Sequence, residues 1–414
     1  MKKQGAKTVM PRLRFPEFRK ELGWRVQPLA DVCEVKNNRR RPITSSDRES
    51  GPYPYYGASG VVDLIHDYIF DERLLLVGED GAKWGAFEKT AFIAEGKYWV
   101  NNHAHVLKVT EVSDSLLENY LTMLDIGPFV TGAAPPKLTL AKLKSIPIPV
   151  PPSSAEQQKI ADCLTSLDEV IAAQGRKVEA LKTHKRGLMQ QLFPREGETR
   201  PRLRFPEFRD APEWREAALG PLTSKVGSGV TPRGGDANYK AHGRPFVRSQ
   251  NVGWGLLLLD DIAFIDESTH ASFLGTEIME SDVLLNITGA SIGRSAVADE
   301  RISGGNVNQH VCIIRVKRDE LDPVLLNQFL ISERGQEQID SFQAGGNRQG
   351  LNFAQIRSFQ IPLPPTIDEQ QCIADCLSSL DTRIAAESNQ LTALKTHKQG
   401  LMQQLFPAPE ATTA

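Results

Sequence analysis

The sequence lacks several features by which whole classes of protein are recognised. No stretch of its 414 residues approaches the ~18 consecutive apolar residues of a membrane-spanning helix. The first ten residues, MKKQGAKTVM, have no apolar core, so we expect no secretory signal. The five cysteines form no CxxC pair and are odd in number, which favours free thiols in a reducing cytoplasm. The net charge is only −2, so any affinity for nucleic acid must come from local clusters.

Motifs of several enzyme classes are also absent. The stretch 289–294 has two glycines but lacks the Lys-Ser/Thr ending of a phosphate-binding P-loop. A DNA methyltransferase would show a glycine-rich cofactor loop paired with an Asn-Pro-Pro-aromatic or Asp-Pro-Pro-aromatic motif. The sequence contains no such pair. His103-x-His105 has no evident third ligand for a metal ion, and the charged stretch 79–83 is more typical of a turn than of a nuclease site. We predict no catalytic residue, no metal site and no cofactor bound by this chain.

What the sequence does contain is an internal repeat. PRLRFPEFR, here called the opener, occurs at 11–19 and again at 201–209. A 39-residue segment at 156–194 recurs at 369–407 with a constant offset of 213 and 28 identical positions. A period this long is a duplication and not a solenoid, whose repeats span ~20–50 residues. Because the first 39-residue segment leads into the second opener, symmetry predicts that the first opener lies beside the end of the second segment.

Two segments between the repeats, 26–137 and 216–350, share no clear sequence similarity. Both contain short β-forming runs separated by glycine-rich turns, which indicates strand-rich domains. We predict an α+β protein with a duplicated, pseudo-twofold layout, in which two long helices join two such variable domains. The predicted segments are an N-terminal common segment 1–25, variable domain 26–150, helix 151–194, common linker 195–215, variable domain 216–363, helix 364–407 and tail 408–414.

The 39-residue repeat predicts a long helix. Its apolar residues alternate at spacings of four and three, the heptad seam of a coiled coil. Ser153 and Thr366 each precede a glutamate by three residues, which predicts a capping box at the start of each helix, and a Phe-Pro pair ends each helix. The predicted interface residues are Leu164, Leu167, Ile171, Val178, Leu181, Leu188, Leu377, Leu380, Ile384, Leu391, Leu394 and Leu401.

The duplication predicts that the two helices run antiparallel, so that facing residues have a constant sum of residue numbers. A sum of 565 aligns all ten seam positions but sets Lys185 opposite Leu380. A sum of 572 loses two positions but sets Lys185 opposite Glu387. Burying a polar group against an apolar one costs roughly 1–3 kcal/mol, although a long lysine can also reach out of the seam. We predict the register with the sum of 572.

The openers, the KTHKxGLMQQLFP helix ends and several loop motifs form one combination that covers nearly the whole chain. The motifs of the second variable domain are GSGVTPRGGDANY (227–239), RSQNV (248–252), LLNITGASIGR (284–294), GNVNQHV (305–311) and GLNFAQIRSFQIPLPP (350–365). Those of the first are RRRPITSSDRESGPYPYYGASG (39–60), LLLVGEDGA (74–82) and YWVNNHAHVLKV (98–109). The combination resembles the specificity subunit of a type I restriction–modification system.

The resemblance implies a non-catalytic subunit that binds double-stranded DNA. Each variable domain would be a target-recognition domain that reads one half of a bipartite, asymmetric site, and the paired helices would set the gap and dock two methyltransferase subunits. Those partners would use S-adenosylmethionine to methylate adenine, and restriction (motor) subunits would use ATP and magnesium. Two alternatives stay open: a self-contained DNA methyltransferase or nuclease with degenerate motifs, and a coiled-coil scaffold that does not bind DNA.

Charged and amide side chains are concentrated in parts of both variable domains. Residues 12–48 include ten Lys/Arg and five Asp/Glu, and residues 225–248 include five Lys/Arg and one Asp. Residues 256–293, in contrast, include seven Asp/Glu and no Lys/Arg. Such segregation suits phosphate binding, and Arg, Asn and Gln can reach base edges; solvated turns are the alternative. The candidate DNA-binding residues are Arg39, Arg40, Arg41, Tyr55, Tyr56, Asn101, Asn102, His103, Arg233, Arg248, Ser249, Asn251, Arg294, Asn308, Gln309, Asn347 and Arg348.

Overall fold

The computed structural model describes residues 8–232, 234–343 and 350–408. The chain divides into two compact units, of which unit 1 comprises 1–175 with 389–414 and unit 2 comprises 176–388. The predicted α+β class is confirmed, since both units combine strands with helices. In the part of the chain that the structure describes, no helix has the length and apolar character needed to cross a membrane.

Unit 1 is built from short strands and three short helices, and it also contains the first half of one long helix and the second half of the other. Its described strands form the sheets β1-β2-β11, β3-β10-β7-β8 and β5-β4-β9-β6, and β4 pairs with β9 in parallel. The elements are β1 (Thr8–Val9), β2 (Trp24–Pro28), α1 (Leu29–Val32), β3 (Cys33–Val35), β4 (Ser50–Gly57), β5 (Gly60–Ile65), β6 (Phe70–Asp71), β7 (Leu74–Gly78), β8 (Ala91–Ala94), β9 (Lys97–Val100), β10 (Ala104–Val109), α2 (Asp114–Met123), α3 (Leu140–Lys144), β11 (Pro147–Val150) and α4 (Ser154–Leu192).

Unit 2 contains the second half of α4 and the first half of the last long helix. Its described strands form the sheets β12-β20, β13-β19-β16-β17 and β15-β14-β18, and β14 pairs with β18 in parallel. The elements are β12 (Arg215–Ala218), β13 (Thr223–Ser228), β14 (Arg244–Val247), β15 (Ala263–Ile265), α5 (Glu267–Ser272), β16 (Val283–Asn286), β17 (Ser295–Val297), β18 (Asn306–Val307), β19 (Val311–Val316), α6 (Pro323–Leu330), α7 (Glu333–Ser341), α8 (Phe353–Arg357), β20 (Gln360–Leu363) and α9 (Ile367–Leu405).

The variable domains have the same topology although their sequences appeared unrelated. The order β13-β19-β16-β17 repeats the order β3-β10-β7-β8, and the parallel pair β14–β18 repeats β4–β9. The central strands β7 and β16 are buried along their whole length in both units. The sequence analysis therefore missed a duplication that extends through the variable domains. The duplication was missed because different apolar residues can form the same buried strands, so two domains can share a topology without sharing a sequence.

Both long helices bury the predicted seam. All twelve predicted interface residues are buried or half-buried, and most of the residues between them are exposed. The seam merges with the domain cores at its ends. In unit 1, Ile160 and Phe406 join the core around Trp24. In unit 2, Phe193 and Ile373 join the core of that unit. The predicted pairing of helix with helix is thus confirmed within each unit.

Ion pairs between the helices define their direction and register. Within unit 2, Lys185 Nζ donates to both carboxylate oxygens of Asp381 at 2.6 and 2.7 Å, and Lys177 Nζ lies 2.5 Å from Glu387. The residue number falls along one helix as it rises along the other, which confirms the antiparallel pairing. The paired numbers add to 566 and 564. The predicted sum of 572 is therefore wrong, and the register is the one with the sum of 565.

The physical reason lies beside the seam. Each seam lysine reaches a carboxylate one position away from its apolar partner, so it does not remain buried against that partner. In unit 1, Lys398 Nζ contacts both oxygens of Asp168 at 2.6 Å, the counterpart of the Lys185–Asp381 pair in unit 2. The register with all ten seam positions is therefore compatible with both lysines.

A buried glutamate at the start of α4 binds the first opener. Arg14 donates from Nε and Nη2 to the two carboxylate oxygens of Glu156, both at 2.6 Å, and Trp24 Nε1 donates at 3.2 Å. Ser153 Oγ accepts the Glu156 amide at 3.4 Å, as a capping box requires. The carboxylate turns to Arg14 and not back to the helix start. The capping box is therefore only half formed, because the guanidinium is the stronger partner.

The second copy repeats this arrangement in unit 2. Arg204 donates to both oxygens of Glu369 at 2.7 and 2.8 Å, and Trp214 Nε1 donates at 3.0 Å. The opener also reaches the helix that ends nearby, since the Leu203 amide donates to the Gln191 carbonyl at 2.9 Å. In unit 1 the Leu13 amide donates at 2.9 Å to the carbonyl of Gln404, near the end of α9. The predicted position of the first opener is therefore confirmed.

Candidate nucleic-acid interface

Each unit forms an equivalent Asn-x-His turn after its parallel strand pair. Asn101 Oδ1 accepts the His103 amide at 2.8 Å in unit 1, and Asn308 Oδ1 accepts the His310 amide at 3.0 Å in unit 2. Both asparagines are buried. Two of the predicted DNA-binding residues, Asn101 and Asn308, therefore shape the turn. The residues that follow them, Asn102 and Gln309, are exposed and can reach a ligand.

In unit 1, charged side chains converge beside this turn. His103 Nδ1 contacts the Asp80 carboxylate, and Glu79 binds Lys137 at 2.8 Å and the Arg40 guanidinium. Burial raises the pKa of Glu79, but the hydrogen bonds from Lys137 and Arg40 outweigh burial and leave this pKa below its usual value. Arg40 also donates to the Ala104 carbonyl at 2.9 Å. Arg40 is thus held within the fold, while the exposed imidazole of His103 faces outward.

The three consecutive arginines 39–41 have different surroundings. Arg39 is paired with Glu72 and lies 4.3 Å over the ring of Phe70. Arg41 is exposed, and its guanidinium donates to the carbonyls of Asn38 and Arg40 at 3.0 and 2.8 Å. No carboxylate among the described residues pairs with Arg41. Of the three, Arg41 is the one whose charge no carboxylate of the described residues neutralises.

The two predicted tyrosines support the sheet of unit 1. Tyr55 is buried, and its hydroxyl accepts the Ile43 amide at 2.9 Å. Tyr56 is half-buried, and its ring lies 5.6 Å from that of Phe92 and 5.5 Å from that of Tyr98. Burial also raises the pKa of Tyr56. These contacts place both tyrosine rings in the packing of the sheet.

The two histidines of His103-x-His105 have different environments. The buried ring of His105 contacts the Asn37 side chain at 2.9 Å and the Leu138 carbonyl at 2.7 Å, whereas that of His103 is exposed beside Asp80. Burial lowers the pKa of His105. Over residues 8–232, 234–343 and 350–408, no group of three or more His, Cys, Asp or Glu side chains could hold a metal ion.

In unit 2, three polar loops surround an open pocket of about 390 Å³. Ser249 follows β14, Thr288 and Arg294 flank the loop between β16 and β17, and His310 belongs to the Asn-x-His turn. His310 Nδ1 contacts Thr288 Oγ1 at 2.5 Å, as His103 contacts Asp80 in unit 1. Among the described residues, no side chain or carbonyl is bonded to the Arg294 guanidinium. Its half-buried side chain thus offers a free cation to the pocket.

Two other predicted residues of unit 2 are held by Asp261. Arg248 Nη2 donates to the Asp261 carbonyl at 2.6 Å, and the buried Asn251 donates to the Asp261 carboxylate at 3.0 Å. Asn251 Oδ1 also accepts the Arg248 amide at 3.0 Å, so this loop is fixed internally. The remaining predicted residues, Arg233, Asn347 and Arg348, lie outside the described part of the chain.

The sequence analysis missed Lys137, Asp80 and Thr288. A signal for this region was present, because the 213-residue offset continues upstream of the 39-residue repeat into 138–152 and 351–365. In unit 1 the Leu138 amide donates to the Glu79 carbonyl at 2.7 Å. In unit 2 the Leu351 amide donates to the Ile287 carbonyl at 2.9 Å. A second signal was Val-Asn-x-His, which occurs at 100–103 and at 307–310.

Comparison with known proteins gives one consistent family. A family model described as type I restriction modification DNA specificity domain matches residues 21–183 and 260–396. A putative type I restriction enzyme specificity subunit of Haemophilus influenzae is 41% identical over 151 residues, which are 36% of this chain and 38% of that relative. The type I restriction enzyme MjaVIII specificity subunit of Methanocaldococcus jannaschii is 21% identical over 95% of this chain and 93% of its own length.

Solved structures share the fold. The S subunit of a type I restriction–modification system from M. genitalium matches with a TM-score of 0.65 and 14% identity over 97% of this chain and all of that chain. A chain from a structure described as showing complex assembly and conformational transition of the type I R-M system matches with a TM-score of 0.54 and 16% identity, over 96% of this chain and all of its own. The duplicated α+β layout is therefore shared along nearly the whole chain.

Proposed function

Because this chain belongs to the type I restriction–modification DNA specificity family, we propose that it is the DNA-reading subunit of a type I restriction–modification complex. The observation that carries the proposal is the pair of polar loop clusters on domains of one topology. The cluster of unit 1 contains Asp80 and His103, together with Arg41, whose amide donates at 3.2 Å to the carbonyl of Val100 at the start of the Asn-x-His turn. The cluster of unit 2 contains Thr288 and Arg294. Because equivalent loops of the two units carry different side chains, the two units suit a target whose two halves differ in sequence.

Within each cluster, some side chains would position the DNA and others would read it. The buried asparagines and the ion-paired arginines fix the loops, so they give no direct readout of bases. Arg41 and Arg294 have charges free for phosphates or for a guanine edge, and the exposed amides of Asn102 and Gln309 can pair with adenine. We expect each unit to read one half-site through these exposed groups.

The paired helices would set the unread gap and dock two methyltransferase subunits. The support for docking is identity at exposed positions of the repeat. Lys182, Thr183 and His184 are exposed on α4, and the same three residue types are exposed at 395–397 on α9. Packing in the seam explains why buried positions have the same residues in both copies, but it does not explain why these exposed positions do. Two equal surfaces suit two copies of one partner, which would supply S-adenosylmethionine, while restriction subunits would use ATP and magnesium.

One experiment separates this function from both alternatives. The purified chain is incubated with labelled S-adenosylmethionine, magnesium and DNA, with and without co-expressed methyltransferase subunits. We expect methyl transfer and a DNA mobility shift only when those subunits are present. Transfer or cleavage by the chain alone would show an enzyme. An assembled complex that neither shifts DNA nor modifies it would show a scaffold.

A further inference from the structure

A second, larger cleft lies in unit 2 outside the loop cluster. It has a volume of about 1020 Å³ and lies between the end of α4 and the start of α7, with residues Arg195 and Arg202 of the common linker at its rim. Trp254, whose side chain is half exposed, forms part of the wall. The proposed reading of bases through loops of unit 2 does not use this cleft.

The cleft carries positive charge that the fold leaves unpaired. Arg186, Arg195 and Arg202 are exposed, and none of them has a carboxylate partner among the described residues. The other cations of the wall are engaged: Lys185 binds Asp381 at 2.6 Å, Lys182 binds Glu179 at 2.8 Å, and Arg334 binds Glu216. The wall also contains three carboxylates, Glu196, Glu333 and Glu337, which its six Lys and Arg side chains outnumber. Three guanidinium groups around one groove suit an anionic ligand with several phosphates, because guanidinium and phosphate pair through two hydrogen bonds.

The other copy of the repeat lacks two of these arginines. Arg186 corresponds to Gln399 within the 39-residue segments, which share 28 positions, and Arg195, the residue that follows the first segment, corresponds to Ala408, which follows the second. A methyltransferase subunit that docks in two equal copies would require the same residues in both. The asymmetry therefore favours a ligand that meets unit 2 alone, and one DNA duplex with two different ends is such a ligand.

The cleft adjoins the segment that carries Arg294. The Gly255 amide, next to Trp254, donates to the Ser295 carbonyl at 2.8 Å, and Gln336 of the cleft wall donates to the Gly293 carbonyl at 3.0 Å. We propose that this cleft binds the phosphate backbone of duplex DNA beside the half-site that unit 2 reads, an inference that rests on the proposed function. The contact extends the DNA footprint and carries no sequence information of its own.

The test replaces the two arginines with the residues of the other copy. The double variant Arg186→Gln with Arg195→Ala keeps side chains that the repeat already tolerates. The assembled complex is titrated with a duplex that carries the mapped target and with an unrelated duplex, from 50 to 300 mM salt. We expect the slope of log affinity against log salt to fall by about 2, because each phosphate contact contributes about 0.9. Both duplexes should lose affinity alike, so the specificity ratio should not change.

The matched control moves the charges to the other helix. Adding Gln399→Arg and Ala408→Arg to the double variant restores the net charge but leaves the cleft without its two arginines. We expect this quadruple variant to keep the reduced slope. An unchanged slope in the double variant, a slope restored in the quadruple variant, or loss of the methyltransferase subunits on size-exclusion chromatography would each overturn the cleft proposal. A wild-type complex that binds no DNA would instead overturn the proposed function.

Discussion

Arginines in this chain have roles that depend on which partner each one meets. Arg14 is buried in contact with a buried glutamate, Arg40 is held by Glu79 and three carbonyls, and the Arg294 guanidinium has no partner among the described residues. A sequence gives the charge of such residues but not the distance to a carboxylate far along the chain. The arginines that are expected to meet DNA are therefore those that the fold leaves free.

The contrast between Arg294 and Arg40 is testable. We expect Arg294→Gln to weaken DNA binding by the assembled complex by about 1–3 kcal/mol, with its stability unchanged. Arg294→Lys keeps the charge and should keep most of the phosphate contribution.

Arg40→Gln should lower the stability of unit 1 by about 1–3 kcal/mol, because it removes hydrogen bonds to partly buried groups. Equilibrium binding and urea unfolding measure the two effects, and equal effects of both glutamines on binding would contradict the assignment.

His105 gives unit 1 a pH dependence of known sign. Burial lowers the pKa of His105 below its usual value in the folded chain. The charged groups that face it include Glu79, whose pKa is lowered, and Lys137, whose pKa is raised, so both keep their charges from pH 5 to 8. The Arg40 guanidinium, which binds Glu79, also faces His105. The unfolded chain therefore binds more protons than the folded chain as the pH falls below about 6.5. We expect the stability conferred by neutral His105 to be full above that pH and to be lost progressively below it.

The measurement compares urea midpoints of the wild type and His105→Gln between pH 5 and 8. The wild type should lose stability toward pH 5, and the variant should show a weaker dependence over the same range. Parallel curves for the two proteins would show that His105 does not titrate in this way.

At the scale of elements, each opener is fixed to its helix by a buried ion pair. Arg14→Ala leaves the buried Glu156 without its main partner, and breaking such a pair costs about 3–5 kcal/mol. We expect a loss of that size in the unfolding free energy of unit 1. Arg12→Ala, an exposed arginine of the same opener, should change it by less than about 0.5 kcal/mol. Similar losses in the two variants would contradict the anchoring role.

The helix register can be measured by cross-linking. The background replaces Cys163, Cys372 and Cys376 with serine and keeps the buried Cys33 and Cys312. In this background, cysteines at 181 and 384 should cross-link readily under mild oxidation, because the ion pairs Lys185–Asp381 and Lys177–Glu387 place these positions in one layer. Cysteines at 181 and 391 are the matched pair for the register with the sum of 572. Faster cross-linking of that pair would contradict the observed register.

At the scale of the whole molecule, the sequence was sufficient for the architecture and insufficient for the contacts. The duplication, the two long helices with their seam, and the α+β class followed from repeats and spacing. The register did not, because Asp168 and Asp381 lie one position off the seam and periodicity does not show that they receive the lysines. The common topology of the variable domains was also missed, since strand pairing links residues far apart in sequence.

The candidate interface was only partly predictable for the same reason. Loop composition indicated Arg294 and Gln309, of which the first is half-buried and the second exposed, and their contact with DNA stays a prediction. It gave the same weight to Asn101 and Asn251, whose amides are used inside their own loops. Burial and pairing distinguish these residues, and both depend on the three-dimensional fold.

The most direct test of the central claim is to map methylated bases across the host genome, with and without this chain, in cells that hold the methyltransferase subunits. The account predicts methylation at an asymmetric site of two specified parts separated by a fixed number of unspecified bases, and loss of that methylation when the chain is removed. A contiguous palindromic site, or methylation that persists without the chain, would contradict it.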